Sequence, residues 1–184
     1  MFIKNERTME DFIQADESFN KYIEDIYSLK NVKLLGRQVH IGDGNIIDLL
    51  YEGVGNAPHN DKSKCLIIVE LKCRDLEMND LSQISRYKCV ADAYLYKIID
   101  KRNYQNFEVY ALLVGTGLTL DFAHFMNGGL YDDYYFKVML IKTNVIYEDV
   151  TDKYGACENL SGKVTSSFDK FANGLIGDGE AENG

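Results

Sequence analysis

Hydrophobic positions divide the chain into helical and extended segments. Over residues 6–29 they recur at spacings of three and four, which predicts a helix that Asp16 can cap and split in two. The same spacing predicts a long helix over residues 78–100, and a short helix is predicted over 119–126. Apolar runs predict five strands, at residues 32–41, 46–52, 65–73, 107–115 and 135–143.

The order of these elements predicts an α/β fold. The first two strands are joined by Gly42-Asp43-Gly44-Asn45, which is typical of a hairpin turn. The later strands alternate with helices, which favours right-handed crossover connections. We therefore predict a mixed β-sheet flanked by helices, in one domain over residues 1–150. Residues 151–184 form a C-terminal extension, whose glycine-rich, acidic end is predicted to be disordered.

Charged residues close the most apolar strand. Glu70 and Lys72 follow the run Cys65-Leu66-Ile67-Ile68-Val69 and, being two apart, project from the same face. A carboxylate and an ammonium group are costly to bury without partners, so the pair lies either at an exposed rim or in a functional site. Asp48, in another strand-like run, can bring a second carboxylate to the same place. Two carboxylates beside a lysine suit a divalent cation and a phosphate group.

These residues resemble the PD-(D/E)xK nuclease superfamily, and within it the C-terminal nuclease domain of NucS-type endonucleases. The resemblance covers residues 6–142 and implies a restriction-endonuclease-like fold. One departure is Ile47, where the family pattern has proline before the aspartate. The segments that carry the resemblance are Gly36-Arg37-Gln38-Val39, Gly44-Asn45-Ile46-Ile47-Asp48-Leu49-Leu50, Ile68-Val69-Glu70-Leu71-Lys72 and Leu81-Ser82-Gln83-Ile84-Ser85-Arg86-Tyr87.

The resemblance implies catalytic roles for four residues. Asp48 and Glu70 would bind Mg²⁺ or Mn²⁺, and Lys72 would orient the water or the phosphate. Gln83 would reach the site from the following helix. By pattern alone, Gln83 also fits a polar residue beside the core.

Further residues complete the predicted site. In the family, a glutamate of the first helix often completes the metal shell; Glu10 matches it best, with Glu6 as the alternative. Tyr87 shares a helix face with the glutamine one turn earlier, and Arg86 lies one residue round. We predict that Arg74, Arg86 and Tyr87 contact the substrate. By pattern alone, Glu10 also fits a solvated surface position and Tyr87 a packing group.

The formal net charge of −9 argues against a general nucleic-acid binder, which is usually basic. The charge is unevenly distributed along the chain. Residues 62–102 hold nine basic and six acidic residues, a net of +3, and this segment contains Glu70, Lys72 and the helix after them. Some of the acidic residues elsewhere would be the metal-binding carboxylates themselves.

Neither a membrane helix nor a leader is evident in the sequence. No apolar run approaches the roughly 18 residues that a membrane span needs, so no membrane partner is predicted. The N-terminus lacks an apolar stretch of the signal-peptide type, which predicts a cytoplasmic location. The four cysteines form no Cys-x-x-Cys pair, which predicts free thiols in a reducing compartment.

Two functions fit these observations. The first is a metal-dependent endonuclease that hydrolyses DNA phosphodiester bonds; nothing in the residues distinguishes DNA from RNA. By analogy with nucleases of this fold that cut both strands, a homodimer is predicted. The second is a non-catalytic interaction protein on the same fold, whose acidic surface binds a basic, nucleic-acid-binding partner in a conflict between a virus and its host.

Overall fold

The computed structural model describes residues 5–41, 44–57, 62–98, 107–127, 135–142 and 146–150. The predicted C-terminal extension and residues 42–43 of the predicted turn lie outside these ranges. Gly44, at the end of that turn, has a φ of +75°, a left-handed conformation that glycine adopts without strain.

Two helices form where a split was predicted. The described helices are α1 (Glu6–Ala15), α2 (Glu17–Tyr27), α3 (Met78–Ile98) and α4 (Leu120–Asn127). The Asp16 carboxylate accepts a hydrogen bond from the Ser18 backbone N–H at 2.9 Å, so it caps α2 as predicted. Within the described part of the chain, no helix combines the length and the apolar character needed to cross a membrane.

Eight strands form two sheets within the described residues. They are β1 (Leu29–His40), β2 (Ile46–Gly55), β3 (Lys64–Leu71), β4 (Asp75–Leu76), β5 (Phe107–Gly115), β6 (Gly117–Leu118), β7 (Phe136–Lys142) and β8 (Ile146–Val150). The main sheet has the order β1-β2-β3-β5-β7-β8, and β4 pairs with β6. The pairs β3–β5 and β5–β7 are parallel, whereas β1–β2, β2–β3 and β7–β8 are antiparallel.

Helices cover both faces of the main sheet. Helices α3 and α4 pack on one face, and α1 and α2 pack on the other. Strand β3 contributes to both cores because its side chains alternate: Leu66 and Ile68 face α3, whereas Ile67 and Val69 face α1 and α2. The predicted α/β fold, a mixed sheet flanked by helices, is confirmed.

Several boundaries differ from the pattern-based prediction. Strand β1 begins at Leu29 rather than residue 32, because Ser28 takes a left-handed conformation (φ 52°) that ends α2 and leads the chain straight into the strand. The hydrophobic pattern does not predict β4, β6 or β8, which are too short for a clear period.

The free-thiol prediction is confirmed for Cys65 and Cys73. It is wrong for Cys89, which is disulfide-bonded. Disulfide formation depends on tertiary proximity, and the spacing of cysteines along the chain does not reveal it.

Candidate active site

Two buried carboxylates lie on adjacent strands at the end of β3. The β2–β3 register pairs Leu49 with Val69, and one further step places Asp48 opposite Glu70. Only 9% of Asp48 and 2% of Glu70 are exposed. The Leu71 backbone N–H donates a hydrogen bond to Asp48 Oδ2 at 2.8 Å, which joins the two strands at this point. The fold therefore places the two predicted carboxylates side by side.

Lys72 and Gln83 both reach Glu70. Lys72 Nζ donates to Glu70 Oε1 at 2.9 Å, and the Gln83 amide nitrogen, from α3, donates to the same oxygen at 2.7 Å. Gln83 also donates to the Tyr87 hydroxyl at 2.7 Å. The other oxygen of Glu70, Oε2, is buried and has no hydrogen-bond partner among the described residues.

Asp48 is joined to helix α1 through Gln38. The Gln38 amide nitrogen donates to Asp48 Oδ1 at 3.1 Å and also to Glu10 Oε1. Glu10 is 4% exposed, and its Oε2 accepts hydrogen bonds from Arg37 Nε at 3.2 Å and Arg37 Nη2 at 2.8 Å. The predicted first-helix glutamate is therefore bound by an arginine and a glutamine.

An open cleft of about 630 Å³ reaches Asp48 from the side of α1 and β1. Glu6, the alternative first-helix carboxylate, lines this cleft, and its Oε1 lies 4.0 Å from Lys72 Nζ. The cleft therefore gives solvent, or a ligand, access to Asp48, whereas Glu70 is not among the residues that line it. Its lining mixes acidic, basic and amide side chains: Glu6, Arg7, Glu10, Asp11, Arg37, Gln38 and Asp48.

Burial changes the protonation of these groups. Burial, and next the charge of Asp48, raise the pKa of Glu70 to about 7, although Lys72 opposes the shift. Burial also raises the pKa of Asp48, against the hydrogen bonds that this carboxylate accepts. For Lys72, burial lowers the pKa, but the neighbouring carboxylates outweigh it and the net pKa is raised. Near neutral pH, Glu70 is thus partly protonated while Lys72 stays charged.

Asp48 and Glu70 form a donor set that fits a hard divalent cation. Among the described residues, no three His, Cys, Asp or Glu side chains converge to hold a metal ion. Mg²⁺ is commonly held by one or two carboxylates together with water and substrate phosphate, so two carboxylates suffice. Glu70 Oε2 is buried without a hydrogen-bond partner among the described residues, and a bound cation would offset the free-energy cost of removing this oxygen from water.

The three predicted substrate-contacting residues lie in different surroundings. Arg74 donates from Nη1 and Nη2 to the two oxygens of Asp80, each at 2.9 Å. Arg86 is exposed and donates to Asn45 Oδ1 at 2.8 Å. Tyr87 is 4% exposed and packs in the core, and its hydroxyl accepts the hydrogen bond from Gln83. Contact of these residues with a substrate stays a prediction.

Arg37 and Gln38 belong to this cluster, although the predicted site omits both. Both lie in the segment Gly36-Arg37-Gln38-Val39 that carries the family resemblance, but the predicted site gives neither of them a role. Gln38 also has a positive φ of 48° within the strand, which no pattern of residue types reveals. Their place in the site is therefore known only from their tertiary contacts.

Comparison with known proteins gives remote likenesses only. No protein-family model matches the chain, and no curated protein matches it. Among solved structures, a repair endonuclease from Pyrococcus abyssi is similar, with 21% identity, 65% of this chain and 41% of that chain covered, and a TM-score of 0.40. An EndoMS complex with double-stranded DNA is also similar, with 20% identity, 64% and 40% covered, and a TM-score of 0.37.

The chain spans about two fifths of the length of these two endonucleases. At this identity and TM-score the likeness is too low to assign a function. The function of this chain is therefore inferred from the side chains described above.

Proposed function

We propose that this protein is an endonuclease that hydrolyses DNA phosphodiester bonds with bound Mg²⁺ or Mn²⁺. The convergence of Asp48, Glu70 and Lys72 at the end of β3 carries the proposal. Two adjacent buried carboxylates repel each other unless one is protonated or a cation lies between them. An ammonium group beside them suits an anionic substrate. A phosphodiester is such an anion, and its oxygens can also bind a cation held by the two carboxylates.

Asp48 and Glu70 would hold the cation. Glu70 Oε1 is taken by Lys72 and Gln83, so Oε2 is the oxygen left to bind it. When bound, the cation lowers the pKa of a water molecule and offsets charge on the scissile phosphate.

Lys72 acts as a charged hydrogen-bond donor. Its raised pKa keeps it protonated at neutral pH, so it cannot take a proton from the attacking water. An ammonium group carries three N–H donors, so those not used on Glu70 can meet the water or a phosphate oxygen. Its contribution is orientation of the water and stabilisation of charge that develops on the phosphate.

Gln83 positions Glu70. Its amide nitrogen bridges Glu70 Oε1 and the hydroxyl of Tyr87, whose ring is anchored in the core. This bridge holds the Glu70 carboxylate in one orientation, with Oε1 toward Lys72.

Cleavage of supercoiled plasmid and of DNA and RNA oligonucleotides, with Mn²⁺, Mg²⁺ or EDTA, tests the proposal. We expect the wild type to cut DNA with a divalent cation and not in EDTA. We expect Lys72→Ala to lower the rate about 100-fold, as loss of a charge-stabilising donor does. The absence of cutting with any metal, or equal cutting by Lys72→Ala, would contradict the proposal, and faster cutting of RNA would change the substrate class.

Lys88→Ala is the matched control for this experiment. Lys88 also pairs with a carboxylate, Asp92, at 3.0 Å, and its side chain is 17% exposed against 12% for Lys72. It is not part of the Glu70 group, so we expect cleavage within about twofold of wild type. Light scattering of the same preparations tests the predicted homodimer.

A further inference from the structure

The side-chain amide of Gln38 donates hydrogen bonds to two acidic side chains. Its amide nitrogen donates to Asp48 Oδ1 and Glu10 Oε1, which lie on different elements, β2 and α1. The β1–β2 register pairs Arg37 with Leu49 and Val39 with Ile47, which sets Gln38 directly opposite Asp48. An amide nitrogen carries two hydrogens, one for each carboxylate, and turning the amide over would aim its oxygen at both.

The backbone at Gln38 is strained for a residue with a side chain. Its φ is 48° within a strand, a left-handed conformation that is unfavourable for a residue other than glycine. Strain of this kind persists only where the surrounding contacts maintain it. At Gln38, the contacts that can maintain this conformation are the two hydrogen bonds from its side chain to Glu10 and Asp48.

Glu10 lies on the other side of Gln38 and is also paired with Arg37. Arg37 donates twice to its Oε2, and Gln38 donates to its Oε1. Asp48 is restrained at both oxygens as well, by Gln38 at Oδ1 and by the Leu71 backbone N–H at Oδ2. The hydrogen bonds therefore run without a break from Arg37 through Glu10 and Gln38 to Asp48.

We propose that Gln38 is a positioning residue that orients the Asp48 carboxylate for cation binding, and that Glu10 acts through Gln38 rather than as a metal ligand. This inference rests on the proposed function. It differs from the ligand role that the family resemblance implies for Glu10, because Glu10 forms a charged pair with Arg37 through two hydrogen bonds to Oε2. Each oxygen of Asp48 instead accepts one described hydrogen bond from an uncharged N–H group and keeps a lone pair for a cation.

The test is Mn²⁺ binding by the full chain in the absence of DNA, measured by calorimetry and by electron paramagnetic resonance. We expect Gln38→Ala to weaken Mn²⁺ binding about tenfold, the usual cost of losing a group that orients a metal ligand. Gln14→Ala is the matched control, because the Gln14 side chain accepts a hydrogen bond from Arg37 Nη1 at 2.7 Å, and no described side-chain hydrogen bond joins it to Glu10 or Asp48. We expect its Mn²⁺ affinity to equal that of wild type.

A double-mutant cycle separates the two roles of Glu10. If Glu10 acts through Gln38, Glu10→Ala weakens Mn²⁺ binding in the wild type but changes it less than about twofold in the Gln38→Ala background. If Glu10 ligated the metal itself, the two losses would multiply, and that result would overturn the inference. Wild-type Mn²⁺ affinity in Gln38→Ala would also overturn it.

Gln38→Gly is a second variant that separates loss of the side chain from a folding defect, because glycine adopts the positive φ without strain. We expect it to melt no lower than Gln38→Ala and to show the same weakened Mn²⁺ binding. Failure of the proposed function gives a different result, since the wild type itself would then neither bind Mn²⁺ nor cut DNA. That result would end both proposals, whereas wild-type binding with an unaffected Gln38→Ala would end only this one.

Discussion

Glu70 carries a carboxyl group where negative charge is costly. It is 2% exposed, and its Oε2 has no hydrogen-bond partner within the described part of the chain. Burial and the neighbouring Asp48 raise its pKa to about 7. A bound cation would favour the charged form, so metal binding and proton release are expected to be coupled at this residue.

Glu70→Gln should stabilise the metal-free protein at pH 8 and have little effect at pH 5. The pKa of Glu70 is about 7 when folded against an ordinary value of 4.5, so the folded protein binds more protons than the unfolded protein between these values. Wild-type stability therefore falls as pH rises through this window. Glutamine resembles the protonated carboxyl group, so its advantage grows over the same window to at most about 3 kcal/mol.

Urea unfolding in EDTA at the two pH values measures this difference. Identical pH dependence in the wild type and the variant would show that Glu70 is not the group responsible. Addition of Mg²⁺ should reduce the advantage of the variant, since the cation binds the folded wild type.

At the scale of elements, the connection from β3 to α3 decides where Gln83 lies. Asp80, 2% exposed, accepts two hydrogen bonds from Arg74 and one from the Glu77 backbone N–H at 2.9 Å. These bonds tie the start of α3 to the segment just after Lys72. Arg74 therefore has a structural partner in addition to the substrate contact predicted for it.

Asp80→Ala should lower the free energy of unfolding by about 2 kcal/mol. The change removes two hydrogen bonds of Arg74 and leaves the Glu77 N–H without its acceptor. Arg74 keeps Glu77 Oε1 at 3.1 Å and the Asp75 carbonyl, and the half-exposed guanidinium recovers part of the loss through water. Asp25→Ala is the control: Asp25 forms an exposed pair with Lys21, and its loss should cost less than about 0.5 kcal/mol.

Thermal and urea unfolding of both variants test this expectation. If Asp80→Ala proved as stable as Asp25→Ala, the Arg74–Asp80 contact would not anchor α3. Cleavage by Asp80→Ala should also fall, because displacement of α3 moves Gln83 away from Glu70.

At the scale of the whole molecule, charge opposes general DNA binding. The net charge of the chain is −9. Residues 62–102, which include Lys72 and helix α3, carry a net charge of +3. DNA contact is therefore expected to be local to this segment, with the cation at the carboxylates offsetting part of the repulsion.

The affinity for duplex DNA should depend weakly on salt. With about three phosphate contacts or fewer, log Kd should rise with log[NaCl] with a slope of at most about 3. Fluorescence anisotropy in Ca²⁺ between 50 and 200 mM NaCl measures the slope. A slope twice as steep would require a broad basic surface, which the charge distribution does not favour.

Local patterns account for most of the secondary structure. Strand β5 has the predicted bounds of 107–115, and the break between α1 and α2 falls at Asp16, because apolar spacing and caps act over a few residues. The bounds of β1 depend instead on Ser28, whose left-handed conformation is a property of the folded backbone. Pairing of β4 with β6 also depends on contacts between distant segments.

By itself, the sequence determined the main helices and strands and the proximity of Glu70, near the end of β3, to Lys72 just after it, since periodicity and alternation are local properties. Tertiary structure alone decided that Gln38 joins Asp48 to Glu10 and that Arg74 pairs with Asp80. The first of these contacts needs an unusual φ and segments far apart in the chain, and the second needs the connection before α3 to fold back on itself. Residue types and their spacing do not encode such geometry.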